Sequence, residues 1–188
     1  MLSSILAKSD CAACKFCCSF RRQSLWETPI FPEEDLKKMQ ELKPAAKFRP
    51  AGSVAENTGN SSSFNQKPAS NSSYTFDLRT DYHTDDPSEE APCPFLDPSR
   101  GCTLPVELKP FECKIWPLRA IKLPDSNKLA VALTPTCPSI NKVPLEKIIE
   151  LTANGLGRQI INYAISHPDI IKEYSEFLSQ IVYTQQDE

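Results

Sequence analysis

Glycine is scarce in this chain, with five residues in 188. There is accordingly no glycine-rich loop of the kind that cradles a cofactor phosphate. Histidine is scarcer still. His83 and His167 are the two, and neither has a partner at a spacing that announces nucleophilic catalysis. His167 precedes Pro168 at a helix junction, where a surface or capping role is the default. A basic surplus is missing too. Twenty-one Lys and Arg against 24 Asp and Glu leave a net charge of -3 and a pI near 5.5, which gives no electrostatic footprint for nucleic acid. Lys37, Lys38, Lys43 and Lys47 are interleaved with Glu33, Glu34, Asp35 and Glu41, a solvated helix face. No apolar run is long enough to cross a bilayer, and residues 1–8 are too short for the apolar region of a signal peptide. These absences predict a cytoplasmic protein with no nucleic-acid partner and no membrane partner.

Proline and cysteine are abundant, with 17 and eight residues. The length fits one domain over 1–188. The apolar fraction, 40%, is a little under the globular average, and the prolines stiffen the loops, so a staple would help the fold. The cysteines stand at 11, 14, 17, 18, 93, 102, 113 and 137. Thiols stay reduced in a cytoplasm, so ligands are expected rather than disulfides.

Along the chain, residues 1–10 read as an amphipathic helical turn with Leu2, Ile5 and Leu6 on one side. Pro32-Glu33-Glu34-Asp35 opens a helix to about Leu42, because proline and acids suit a first turn; Leu36, Met39 and Leu42 supply its stripe. Residues 51–73 are rich in Ser and Asn and read as a flexible insertion. Residues 74–80 alternate as a strand. Residues 81–91 hold five carboxylates and His83 without the spacing or turn glycine of a calcium loop, so a solvated acidic loop is expected. Residues 115–123 and 128–134 flank Pro124-Asp125-Ser126-Asn127 as a hairpin, with Leu129, Val131 and Leu133 alternating as a half-buried strand. A helical part spans 144–183, broken or closely packed at Gly155 and Gly157, with a last helix restarting at Pro168 and carrying Ile170, Ile171, Tyr174, Phe177, Leu178 and Ile181. The fold class expected is α+β: a small, irregular, metal-stapled domain with a short antiparallel hairpin or sheet and C-terminal helices.

The chemistry concentrates in Cys11-Ala-Ala-Cys14-Lys-Phe-Cys17-Cys18. Two residues between ligands let a tight turn aim both sulfurs at one ion, and a third cysteine at the same interval extends the loop around a cluster. Cys93-Pro94 and Cys137-Pro138 echo the Cys–Pro pair that ends the bacterial ferredoxin run. Adjacent Cys17 and Cys18 diverge in an extended chain, so one is spare or the pair divides between two centres. All eight cysteines (Cys11, Cys14, Cys17, Cys18, Cys93, Cys102, Cys113 and Cys137) are candidate metal ligands. One site with spare cysteines packing as small apolar residues is preferred over two full sites. A thiolate-only set suits zinc or a 4Fe-4S iron–sulfur cluster equally. Trp26 and Trp116 read as packing residues beside the metal loops, and Lys109 and Lys114 as charges able to tune thiolates or, equally, as solvated charge near the site.

At these residues the sequence resembles the zinc- or iron-chelating CxxCxxCC domain family, the YkgJ-like cysteine cluster proteins. The opening cysteine run carries the likeness, with Phe31-Pro32-Glu33-Glu34-Asp35-Leu36, Cys93-Pro94-Phe95-Leu96, Gly101-Cys102-Thr103-Leu104, Lys109-Pro110-Phe111-Glu112-Cys113-Lys114-Ile115-Trp116-Pro117 and Cys137, over about 11–140. The family's usual Arg-Pro is Lys109-Pro110 here, its glycine in the opening motif is replaced by Lys15 or Phe16, and the insertion at 51–73 is peculiar to this chain. The resemblance implies a metal-binding protein with an accessory or redox role, with a protein partner left open. Through the family's larger relatives, the flagellin lysine N-methylases, it implies a lysine N-methylase-like enzyme as an alternative. A zinc-stapled interaction module is another.

Overall fold

The computed structural model describes Leu2, Cys14, residues 16–51, 73–124, Ser126 and residues 128–185. The expected turn at 1–10 (Leu2 apart), the interior of the insertion at 51–73 and Cys11 lie outside these residues. The α+β class is what the fold shows, with helices beside antiparallel strands, a hairpin and a C-terminal helix. One domain is the expectation; backbone contacts divide the chain into two compact units, residues 15–111 and residues 1–14 with 112–188.

Residues 15–111 contain short strands: β1 (Ser19–Arg21), β2 (Phe31–Pro32), β3 (Phe48–Pro50), β4 (Ser73–Phe76), β5 (Glu90–Pro92), β6 (Leu96–Asp97) and β7 (Gly101–Cys102). One helix, α1 (Glu33–Leu42), follows β2 directly. Pro32 is its N-cap residue and Glu33, Glu34 and Asp35 fill its first turn, which favours negative charge near the free N–H groups. Leu36 and Met39 are buried as expected, whereas Leu42 is exposed. The strand expected over 74–80 is shorter and pairs in the antiparallel order β2-β4-β3. It brings Phe31, Phe48 and Phe76 together, and Phe95 joins them, with ring centroids 5.3–6.1 Å apart. Such tilted and edge-on pairs add to the gain from burial. Two two-stranded ribbons, β1–β5 and β6–β7, complete the unit.

Residues 112–188 carry a longer sheet. Helix α2 (Phe111–Ile115) leads into β8 (Leu118–Lys122), which forms the expected hairpin with β9 (Leu129–Leu133). Helices α3 (Leu145–Leu151) and α4 (Gly157–Ser166) follow, then β10 (Lys172–Glu173) and β11 (Ile181–Thr184). The sheet order is β10-β8-β9-β11, with β10 parallel to β8 and β11 antiparallel to β9. Strand β9 is not half-buried as its alternation suggests. Ala130, Val131, Ala132 and Leu133 are all buried, because Leu178 packs on the alanine side. Alanine is small enough to be covered closely, and an alternation count reads it as the open face.

The last expected helix is a correction. From Pro168 onward the chain forms two 3-10 turns and two strands. Helix capping was read from Pro168-Asp169, but the edges of β8 and β9 offer unpaired backbone groups, and pairing them outweighs local preference. Ile181-Val182-Tyr183-Thr184 is β-branched and aromatic, which fits a pleated sheet. Both readings of the two glycines hold. Gly155, at φ +110°, interrupts the helix between α3 and α4. Gly157 leaves room for the ring of Tyr183, which a Cβ would overlap.

Candidate metal centre

The cysteines divide as the backbone does. Cys17, Cys18, Cys93 and Cys102 belong to residues 15–111; Cys14, Cys113 and Cys137 belong to the other unit. Cys14, Cys17, Cys18, Cys93 and Cys102 are free thiols. Cys11 lies outside the described residues.

Local structure explains how the first four gather. Residues 16–18 form a 3-10 turn leading into β1. That turn overturns the expectation that Cys17 and Cys18 diverge, which assumed an extended chain: their Sγ atoms lie 3.9 Å apart. Strand β1 pairs with β5 so that Ser19 faces Pro92. Carrying the antiparallel register one residue further sets Cys18 opposite Cys93, and the Cys93 N–H donates to the Cys18 carbonyl at 2.7 Å. This ribbon is anchored by Tyr82, whose hydroxyl donates to the Phe20 carbonyl at 2.8 Å.

Cys102 arrives by a second ribbon. The Asp97 carboxylate accepts from the Ser99 hydroxyl at 2.6 Å and from the Ser99 and Arg100 N–H groups at 2.8 and 2.9 Å. Those bonds, the Ser99 hydroxyl first, hold the Asp97 carboxyl well below the usual carboxylate range. Gly101, at φ +80°, then turns the chain back, a conformation glycine adopts without a Cβ penalty. Cys102 pairs with Leu96, whose N–H donates to the Cys93 carbonyl at 2.9 Å. Cys93 is buried in the core, and Cys18 and Cys102 pack against that same core.

The electrostatics follow from this gathering. Burial pushes the Cys93 thiol up to about 12; the Phe95 N–H opposes the rise, and Cys102 and Cys17 add to it. Cys17 is pushed up further, first by its hydrogen bond with the Cys18 thiol. Neighbouring thiols resist losing protons together; a cation among them reverses that balance. Among the described residues, Lys109 favours the Cys17 thiolate, and Lys43 favours that of Cys93 while donating to the Pro94 carbonyl at 2.5 Å. The donor set, four thiols with an N–H aimed at one sulfur and two ammonium groups nearby, is chemically suited to zinc or an iron–sulfur cluster. Among the described residues, however, no three His, Cys, Asp or Glu side chains stand as a finished metal shell. The sulfurs are neighbours drawn from separate stretches rather than a closed tetrahedron.

In the other unit Cys137 is buried and accepts a 3.5 Å bond from the Ile140 N–H, while Cys113 is exposed on α2. The Trp116 Nε1, Thr134 Oγ1 and Thr136 Oγ1 atoms, near these cysteines in sequence, are buried without a hydrogen-bond partner among the described residues. Sequence reasoning missed the charged core beside Cys113. Glu112 and Arg119 form an ion pair of 2.5 Å, both 2% exposed; Lys172 lies 3.9 Å from the same carboxylate, and the guanidinium sits 4.5 Å from the Trp116 ring centroid. The alternation of β8 gave no hint, because Arg119 reads as a solvent-facing residue.

His167 takes the capping place expected for it, at the C-terminal end of α4. The His167 ring stacks on Tyr163 at 4.0 Å, with Nδ1 3.1 Å from the Tyr163 carbonyl. The main-chain N–H of His83 donates to Glu89 at 2.6 Å, closing the acidic loop on itself. No described helix is long and apolar enough to cross a membrane. Compared with known proteins, the chain matches no family model, no curated protein and no solved structure.

Proposed function

We propose that this chain is a metal-binding protein that coordinates zinc or an iron–sulfur cluster through cysteine thiolates, in an accessory or redox role. One observation carries the reading: Cys18, Cys93 and Cys102 come from separate stretches of one unit and pack around one core, and the Cys17 sulfur lies 3.9 Å from that of Cys18. Ordinary packing accounts for them poorly. A cysteine used as a small apolar residue is buried, yet Cys17 is exposed and Cys18 and Cys102 are only half-buried. Adjacent thiols at the rim of a core are better explained as donors awaiting a cation.

Zinc in such a set holds the fold together, while a cluster adds one-electron chemistry. The residues of the chain do the rest. The two ribbons present the sulfurs, the Phe95 N–H supports one thiolate, and Lys43 and Lys109 offset the negative charge of the set.

The test is purification without oxygen, followed by metal analysis and an absorption spectrum. Iron with sulfide and a brown colour identifies a cluster. A colourless protein with stoichiometric zinc, unfolding when chelator is added, identifies zinc. Material with neither metal, and no uptake of either on reconstitution, refutes the proposal.

A further inference from the structure

We infer that Cys17 and Cys18 form a two-thiol chelating site for a trivalent arsenical that carries one carbon substituent. The inference stands apart from the metal-binding reading, because it asks for two thiols rather than a closed shell.

The local backbone builds the pair. Residues 16–18 form a 3-10 turn, which sets the two sulfurs 3.9 Å apart. Both are free thiols, Cys17 exposed and Cys18 half-buried. Cys18 is held from behind. Its side chain packs against the ring core, and its carbonyl accepts from the Cys93 N–H at 2.7 Å. One sulfur is therefore fixed, and the other stands open to solvent beside it.

What such a pair holds follows from geometry and valence. A direct sulfur–sulfur bond suits it badly. Consecutive Cα atoms are about 3.8 Å apart, whereas disulfides span Cα separations of about 4.4–6.8 Å. Zinc asks for four ligands, and among the described residues no three His, Cys, Asp or Glu side chains are gathered to hold a metal ion. A trivalent arsenic atom with one carbon substituent needs two thiolates and no more. It bridges the sulfurs as a single atom, so they need not meet. The first arsenic–sulfur bond presents the second thiol at high effective concentration, and the turn has already placed it.

The reaction balances without a redox partner. The hydrated arsenical carries two hydroxyls on arsenic. Two arsenic–oxygen bonds break and two arsenic–sulfur bonds form. Each departing hydroxide takes one thiol proton, so two waters leave and arsenic stays trivalent. The thiols need not ionise beforehand, and the product is uncharged, as the rim of an apolar core favours.

The probe is phenylarsine oxide, added to the full-length reduced chain. Trypsin cuts after Lys15 and Arg21 and releases residues 16–21, which hold Cys17 and Cys18 and no other cysteine. At one equivalent the adduct is expected on that peptide, with the loss of two titratable thiols. It should survive a large excess of mercaptoethanol and be removed by the dithiol dimercaptopropanol. Affinity should fall at least tenfold in C17S and in C18S, since either change leaves a single arsenic–sulfur bond. Cys17 is exposed, so C17S spares the core, and circular dichroism checks the fold of C18S. An adduct on another peptide, unchanged affinity in both variants, or release by mercaptoethanol overturns the inference. So does a chain that takes up none of the probe. Zinc and iron measured on the same material bear on the metal-binding proposal alone, so the two fail separately.

Discussion

Residues 15–111 and residues 112–188 solve the problem of stability differently. The first unit has strands of two to four residues, a ring cluster for a core, and turns held by carboxylates that accept main-chain N–H groups. The second has a four-stranded sheet, helices packed on it, and an aliphatic core around one buried ion pair. Short ribbons have few ladder bonds, and isolated two-stranded pairs are marginal. A unit built from them gains most from a cross-link, and four of the seven described cysteines lie there. The contrast teaches that the unit with the shorter strands leans more on rings, turns and side-chain bonds than on ladder pairing.

One tryptophan falls in each unit, Trp26 and Trp116, so W116F and W26F chains report on the two regions separately. The largest effects should come from the two cores. Phe76→Ala empties the centre of the ring cluster and should cost about 3–5 kcal/mol, seen as a lower urea midpoint for Trp26. Glu112→Ala removes the carboxylate that Arg119 and Lys172 both face, and should cost about 3–5 kcal/mol, seen at Trp116. If either substitution shifts both reporters equally, the two regions unfold as one and the comparison fails.

Gly157→Ala comes next. Alanine favours a helix by about 1 kcal/mol, but overlap with the base of the Tyr183 ring should cost about 1–3 kcal/mol, for a net loss. In a Tyr183→Ala background the same change should become neutral or stabilising; a persistent loss there would deny the close packing.

The smallest effect is acid sensitivity. The N–H of His83, then the N–H and hydroxyl of Thr84, hold Glu89 down to about 2, and Asp97 is depressed by its own turn. A carboxyl depressed in the folded state binds protons more readily when unfolded. Its contribution is therefore full above the unfolded value, about 4.3, and is lost as pH falls toward about 2. The Trp26 transition should weaken over that range, and Glu89→Gln should flatten the dependence. An unchanged slope in that variant would remove Glu89 from the account.

Several features were readable from residues alone. Proline and acids announced α1, the Pro124 turn announced the β8–β9 hairpin, and the glycine pair announced a break followed by close packing. Each depends on neighbours in sequence. The misreadings share an opposite cause. The stripe after Pro168 is consistent with a helix until the open edges of β8 and β9 recruit those residues as strands. The buried Glu112–Arg119 pair, which drew no reading at all, joins residues seven apart that only the fold sets together. Cys17 and Cys18 look divergent until a 3-10 turn swings them to one side.

What the chain alone determined is the α+β class, the local starts and stops, and the supply of thiols with no glycine-rich phosphate loop beside them. These follow from backbone preferences acting over a few residues. Tertiary structure decided which cysteines are neighbours, because strand register and sheet edges join residues far apart in sequence. Such pairings are chosen by burial and by the need to satisfy main-chain hydrogen bonds across the whole unit, and no short window of sequence contains that information.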